Sequence, residues 1–286
     1  MNLNGRELAP GSQTTFYDSN DRELSIRALF KSFWRTRNLL ILLVRKDLSI
    51  RYKKSILGMF WTLLNPLVTS LVLWFVFIEI FKGRLPNDTQ FAPYVLAGIL
   101  IITFFSQGFN QAADSITQST GILKKIYVPP QVFALAGAVS NAINFCFGLV
   151  ALAIISIITG DGISPFFPLT IIVIILLLMS ITGLGLIISI VYIRYDDVRN
   201  VVSILISFMM YLSPVFYPIE ILSKEMQTFV NLNPLTSFLK VFRFVFSNTG
   251  SPSLGDWIYI SAFSFAILFF GIKFFAKSWP RTVVMM

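Results

Sequence analysis

Apolar residues gather along this chain in six long runs: Ile56 to Phe81, Phe91 to Ala113, Val132 to Thr159, Phe166 to Ile193, Val201 to Tyr217 and Trp257 to Ala276. A hydrocarbon core about 30 Å thick takes about 20 apolar residues as a helix, and inside it every backbone polar group must be bonded within the segment. Most runs reach that length with few or no ionisable residues, so the pattern predicts an all-α polytopic membrane protein with six transmembrane helices. Ahead of them, Leu29, Phe30, Phe33, Trp34, Ile41, Val44 and Leu48 recur at spacings of three and four with basic residues between. That spacing predicts a cytoplasmic amphipathic helix over 25–54, lying in the interface, since its apolar run Leu39 to Val44 is too short to span. Residues 1–24 are expected to form a mobile cytoplasmic tail, and 55–286 the transmembrane domain.

Between the last two runs, Pro218 to Asp256 is too long for a plain loop and is broken by proline. Ile221, Leu222, Met226, Phe229, Val230 and Leu232, then Leu235, Phe238, Leu239, Phe242 and Val245, predict two short half-buried helices. Non-helical backbone at membrane depth survives only where protein covers it or a cavity hydrates it, so a re-entrant outer hairpin between helices 5 and 6 is expected.

Composition agrees, with 55% hydrophobic and 13% charged residues and a mean hydropathy of +0.74. The distribution of cations sets the orientation, because short loops rich in Lys and Arg stay in the cytoplasm. With the N-terminus inside, eighteen cations fall on inner segments and five (Lys82, Arg84, Lys224, Lys240, Arg243) on outer ones. Both termini are therefore expected in the cytoplasm, and the formal +9 charge reads as a topology signal plus attraction to anionic lipid, not as a nucleic-acid surface.

Several classes of chemistry lose ground. The chain has no histidine and a lone Cys146 in mid-span, which disfavours metal sites and Cys/His catalysis. Glu79, the main carboxylate within an apolar run, lies beside Lys82 and Arg84 and reads as an interfacial ion pair, not a coupling-ion site. No glycine-rich phosphate loop ending in Gly-Lys-Ser/Thr occurs, so any ATP hydrolysis belongs to a partner, which would carry the ATP and Mg; no cofactor is expected on this chain.

Three polar clusters remain. The mixed patch Arg45, Lys46, Asp47, Arg51, Tyr52, Lys53 and Lys54 closes the amphipathic helix and suits docking better than lipid attraction, which needs neither Asp nor Tyr. Gly121 to Pro130, with Lys124 and Lys125, reads as a short helix or turn stopped by two prolines. Arg194, Asp196, Asp197 and Arg199 form a loop of alternating sign, read either as a protein contact or as a self-satisfied surface loop.

The run Arg45 to Gly58 (RKDLSIRYKKSILG), with Trp61, Asn65 and Pro66, resembles the start of the polysaccharide-exporting permeases of the ABC-2 class, which handle O-antigen, capsule and teichoic acid. The likeness continues in order through YVLAGI (94–99), LKKIYVPP (123–130), YIRYDDVR (192–199), SPVFYP (213–218) and NLNP (231–234). The resemblance implies the transmembrane subunit of an ATP-driven exporter of a lipid-linked glycan in the bacterial cytoplasmic membrane. It makes the loop around Lys124, Lys125 and Tyr127 the coupling helix that enters a cleft of the ATPase. Arg45, Asp47, Arg51 and Tyr52, with Arg194, Asp196, Asp197 and Arg199, become further ATPase contacts. Gate helices are expected in the outer hairpin. Tyr211, Phe216 and Tyr217 beside the proline breaks, with Trp61 and Trp74 on the first span, are candidates for an aromatic sleeve, since sugar rings present apolar faces that pack on aromatic rings. Six spans enclose too little width for a bulky glycan, so a homodimer that docks two ATPase chains is expected. An ABC-2 exporter of drugs or lipids, an ion-coupled carrier and a membrane glycosyltransferase are the competing readings.

Overall fold

The structure, a computed structural model, describes residues 26–53, 58–61, 64–65, 67–69, 71–72, 75, 91–125, 128–160, 162–248 and 250–283. The expected tail, most of the expected first span with Trp74 and Glu79, and Tyr127 lie outside the described residues. What is described is mostly helical, and no strand occurs among those residues.

The helices are α1 (Ile26–Tyr52), α2 (Phe91–Gln118), α3 (Thr120–Leu123), α4 (Gln131–Ile158), α5 (Thr170–Arg194), α6 (Val198–Leu212), α7 (Lys224–Asn231), α8 (Pro234–Ser247) and α9 (Leu254–Thr282). Among the described residues four stretches are long and apolar enough to cross a membrane: Pro93–Gln118, Gln131–Ile158, Phe167–Arg194 and Leu254–Thr282. They coincide with four of the six expected spans. The helix at the fifth expected span, Val201 to Tyr217, is shorter than the apolar run. It has 15 residues, about 22 Å at 1.5 Å per residue, and gives way at Ser213 to extended backbone (ψ 141°). Pro214 is the cause, because its ring disfavours helical geometry in the residue before it and it has no N–H to continue the ladder.

The bundle is built outward from α2, which packs on α4 and α5; α1 lies on α4, and α9 packs along α5. The α5–α9 contact brings the two backbones together. The Ser180 hydroxyl donates to that of Ser264 at 3.0 Å, and both side chains are fully buried. A Cβ on Gly271 would collide with the backbone of Gly183, and one on Gly183 with the backbone of Ile267. Small residues drive helix association where lipid competes equally for apolar surface, because only backbone approach adds contacts that lipid cannot supply. Changing Gly183 to Leu is therefore expected to part the two helices at a cost of about 3 kcal/mol. A purified variant that melts within a degree or two of the parent would contradict this.

α7 and α8 fill the segment expected to be half-buried, unequally. In α7 only Val230 is buried, whereas in α8 Leu235, Phe238, Leu239, Val241, Phe242, Val245 and Phe246 all are, against α2, α5 and α9. Aromatic rings tie α8 to the centre, with Phe242 5.6 Å from Phe145, itself stacked 4.9 Å from Phe104. Sequence places the first of α8's apolar residues at helical spacing, but not the fact that the remaining face is also covered. Asn233 caps α8, accepting from the Leu235 N–H and donating to the Ser213 hydroxyl at 2.9 Å, so the cap also fixes the chain beyond α6.

Candidate functional site

The helices alternate direction, and their connections sort the polar clusters to two ends. At one end lie α3, the end of α1 and the α5–α6 loop; at the other lie the 213–218 segment, α7 and α8.

At the first end the key residue is one that sequence reasoning passed over, Gln111 on α2. Its amide nitrogen donates to Asp47 at 3.0 Å, and its oxygen accepts from Arg51 at 2.8 Å and from Asn141 at 2.7 Å. Arg51 also donates to Asn141 at 3.3 Å, and the Tyr52 hydroxyl donates to Asn144 at 2.7 Å. Asp47, Arg51 and Tyr52 are thus turned onto α2 and α4, while Arg45 and Lys46 on the same helix are exposed. Burial pushes the Asp47 carboxyl above its ordinary range, against the charges of Lys46 and Arg51 and the Gln111 hydrogen bond. The amphipathic helix is held by a polar lock as well as by its buried Leu43 and Val44.

Three residues further along, α2 makes a second tie, since Arg199 meets Asp114 at 2.9 Å, meets Asp196 at 2.8 Å and lies over the Tyr192 ring. Asp114, unsuspected from sequence, is what makes the alternating-sign loop a brace between α6 and α2. Arg194 and Asp197 are exposed and make no ion pair among the described residues. Both ties land on the last turns of α2, immediately before Ser119 and the single-turn helix α3. Lys124 and Lys125 follow it, exposed, and Pro130 stands at the start of α4. The short helix or turn expected over 121–130 is present, with its helical turn at Thr120–Leu123.

The opposite end centres on Arg243, counted in the sequence only as an outer cation. It is 5% exposed, and its guanidinium donates to the carbonyls of Pro214 (2.9 Å), Tyr94 (3.1 Å) and Val215 (3.2 Å) while lying 3.4 Å from the Tyr94 ring centre. The Tyr94 hydroxyl in turn donates to the carbonyls of Tyr217 (3.0 Å) and Pro214 (3.3 Å). Proline frees the carbonyls of this extended segment from helical partners, and in a dry setting each must find a donor. One planar cation with five N–H groups supplies several at once.

Of the expected aromatic sleeve, Tyr211 is 70% exposed, and Phe216 and Tyr217 are half-buried in this clamped segment. Trp61 lies apart from them, exposed at the rim of a cavity between α1, α2 and α4. Trp74 and Tyr127 are outside the described residues.

The chain matches the ABC-2 type transporter family over residues 38–247. It is similar to the O-antigen export system permease protein RfbA of Myxococcus xanthus, 26% identical over 84% of this chain and 92% of the relative. It is also similar to RfbA of Klebsiella pneumoniae, 25% identical over 74% of this chain and 81% of the relative. The polysialic acid transport protein KpsM of Escherichia coli is 24% identical over 80% of this chain and 89% of the relative. The motifs of residues 45–58, 94–99, 123–130, 192–199, 213–218 and 231–234 all fall inside the matched region, and the chain belongs to the ABC-2 type transporter family.

Proposed function

We propose that this chain is the membrane permease of an ATP-driven exporter that carries a lipid-linked polysaccharide of O-antigen type across the bacterial cytoplasmic membrane. The observation that carries the reading is the agreement of relatives named for O-antigen and polysialic acid export over 74–84% of the chain. Geometry adds a mechanical account. A force applied to α3 enters α2 directly, and the Gln111 and Arg199 ties pass it to α1, α4 and α6. Lys124, Lys125 and Tyr127 then form the coupling contact with the ATPase, and Arg45, Arg194 and Asp197 offer secondary contacts.

Asp47, Arg51, Tyr52, Asp196 and Arg199 keep a supporting role in that contact, because their hydrogen bonds fix the elements that surround it. Six spans follow if residues 56–81 and the α6 segment also cross, with α7 and α8 as the re-entrant hairpin. The cation-rich end carrying α3 then faces the cytoplasm, with both termini. Ile204, Leu205, Phe208 and Tyr211 of α6 are exposed, an apolar face suited to a second copy across a shared pathway, into which Trp61, Trp74, Tyr211, Phe216 and Tyr217 would present their rings.

In this scheme ATP and Mg act on two partner ATPase chains. The test is co-expression with the nucleotide-binding ATPase subunits of the same host, each in turn. A stable complex with both chains in equal number is the expected result. A permease that purifies alone under all conditions and still moves glycan would overturn the reading.

A further inference from the structure

The cavity between α1, α2 and α4, of about 370 Å³, is open on one side, where Arg51, Trp61, Asn65 and Gln107 are exposed, and lies several turns in along α2 from α3. A pocket in a membrane protein would be expected to be apolar or filled. This one is walled by amides: Asn65, Gln107, Asn141 and Asn144, beside Thr103 and Trp61. Their hydrogen-bonding capacity is unevenly used. Asn141 is satisfied by Gln111, Gly137 and Arg51. Asn144 accepts from Tyr52, but its buried amide nitrogen has no partner among the described residues, and neither Asn65 nor Gln107 makes a side-chain hydrogen bond among them. Asn65 and Gln107 are exposed residues whose amides stay free to bond an occupant, whereas the buried Asn144 nitrogen left unpaired costs about 1–3 kcal/mol, so the site is shaped for a polar occupant.

The lining decides what kind. Uncharged amides and hydroxyls both donate and accept, which matches the hydroxyls of a sugar, and Trp61 with the stacked Phe104 and Phe145 supplies a flat apolar wall for the C–H face of the ring. A pyrophosphate would bring at least two negative charges against one lining cation, Arg51, which is already turned onto Gln111 and Asn141. The volume falls in the range of small-molecule sites and suits one ring, not an extended polymer.

We propose that this cavity is a subsite for a single neutral sugar ring of the transported glycan, held by Asn65, Gln107 and Asn144 and packed on Trp61. The proposal rests on the polysaccharide-export reading and adds a place on one subunit where a ring is read before it moves on. Because the cavity shares Tyr52, Arg51 and Asn141 with the lock on α1, an occupant there bears on the same residues that hold the amphipathic helix.

The experiment uses the full chain in detergent micelles, with Trp34, Trp74, Trp257 and Trp279 changed to Phe so that Trp61 alone reports. Glucose, galactose, mannose, rhamnose and N-acetylglucosamine are titrated one by one, and inorganic pyrophosphate separately. A saturable change in Trp61 emission with at least one sugar, and none with pyrophosphate, is expected. Gln107→Leu and Asn65→Leu are each expected to raise the half-saturating concentration about tenfold, the effect of one lost hydrogen bond. If the single-tryptophan chain does not fold, saturation-transfer NMR on the unsubstituted chain with the same sugars takes its place. Saturation by pyrophosphate alone would make this an anion site. No saturation by any sugar, or equal binding in both variants, would also overturn the proposal. Glycan display by cells carrying the parent and the two variants separates the two claims. A parent that exports nothing removes the exporter reading, whereas a working parent whose variants export at the same rate removes the subsite alone.

Discussion

Changing Arg243 to Ala is expected to lower the melting temperature of the purified protein by about 6–12 °C. The substitution strips donors from the carbonyls of Pro214, Val215 and Tyr94 and removes the cation from the Tyr94 ring. At about 1–3 kcal/mol for each buried acceptor left short, partly relieved by relaxation and by the Tyr94 hydroxyl on Pro214, the loss is about 3 kcal/mol, and each kcal/mol moves a domain of this size by about 2–4 °C. Arg243→Lys should fall in between, since an ammonium reaches one or two carbonyls but lacks the planar fork that serves three. Tyr94→Phe keeps the ring beneath the guanidinium and loses only the bonds to Tyr217 and Pro214, so its effect should be the smallest. Melting of Arg243→Ala within about 2 °C of the parent would mean that the extended segment is held by apolar packing and not by this cation.

The second large effect is expected at α3. Replacing residues 121–129 with a flexible Gly/Ser segment should leave membrane insertion intact, because none of these residues belongs to the four long apolar helices. Export should be abolished, because a flexible loop cannot carry a push into α2. The ATPase activity of the complex should then no longer respond to glycan. Export at the parental rate would show that force enters elsewhere, with the α5–α6 loop the next candidate.

The sequence made the long helices legible because a bilayer demands a continuous apolar run, and the runs at 91–113, 132–159, 166–193 and 257–276 all became helices whose ends fall within six residues of the predicted ones. The proline stop after α6 was legible in kind, though the apolar residues beyond it drew the predicted span on to Tyr217. What sequence could not show is which polar residues meet. Gln111 lies beside Gln107, Asn110 and Asp114 on α2, with nothing local to mark it as the one that joins three other side chains. Asp114 looked like part of a polar stretch before a loop, and its role appears only when the α5–α6 loop folds back against it. Arg243 was assigned outside by its place in the chain, and its burial follows from carbonyls thirty residues away that proline had left without donors. A hint was present only for Arg243, a cation four residues after Leu239 on the apolar face of α8.

The central claim, that this chain moves a lipid-linked polysaccharide under the power of a separate ATPase, is tested most directly in proteoliposomes holding this chain and its ATPase, with fluorescently tagged lipid-linked glycan added outside. Glycan should move into vesicles whose ATPase faces outward, only with ATP and Mg, and should stop when the ATPase carries a substitution of its catalytic glutamate. Movement that continues without ATP under a proton or sodium gradient, or that never occurs with this substrate while ATP is hydrolysed, would contradict it.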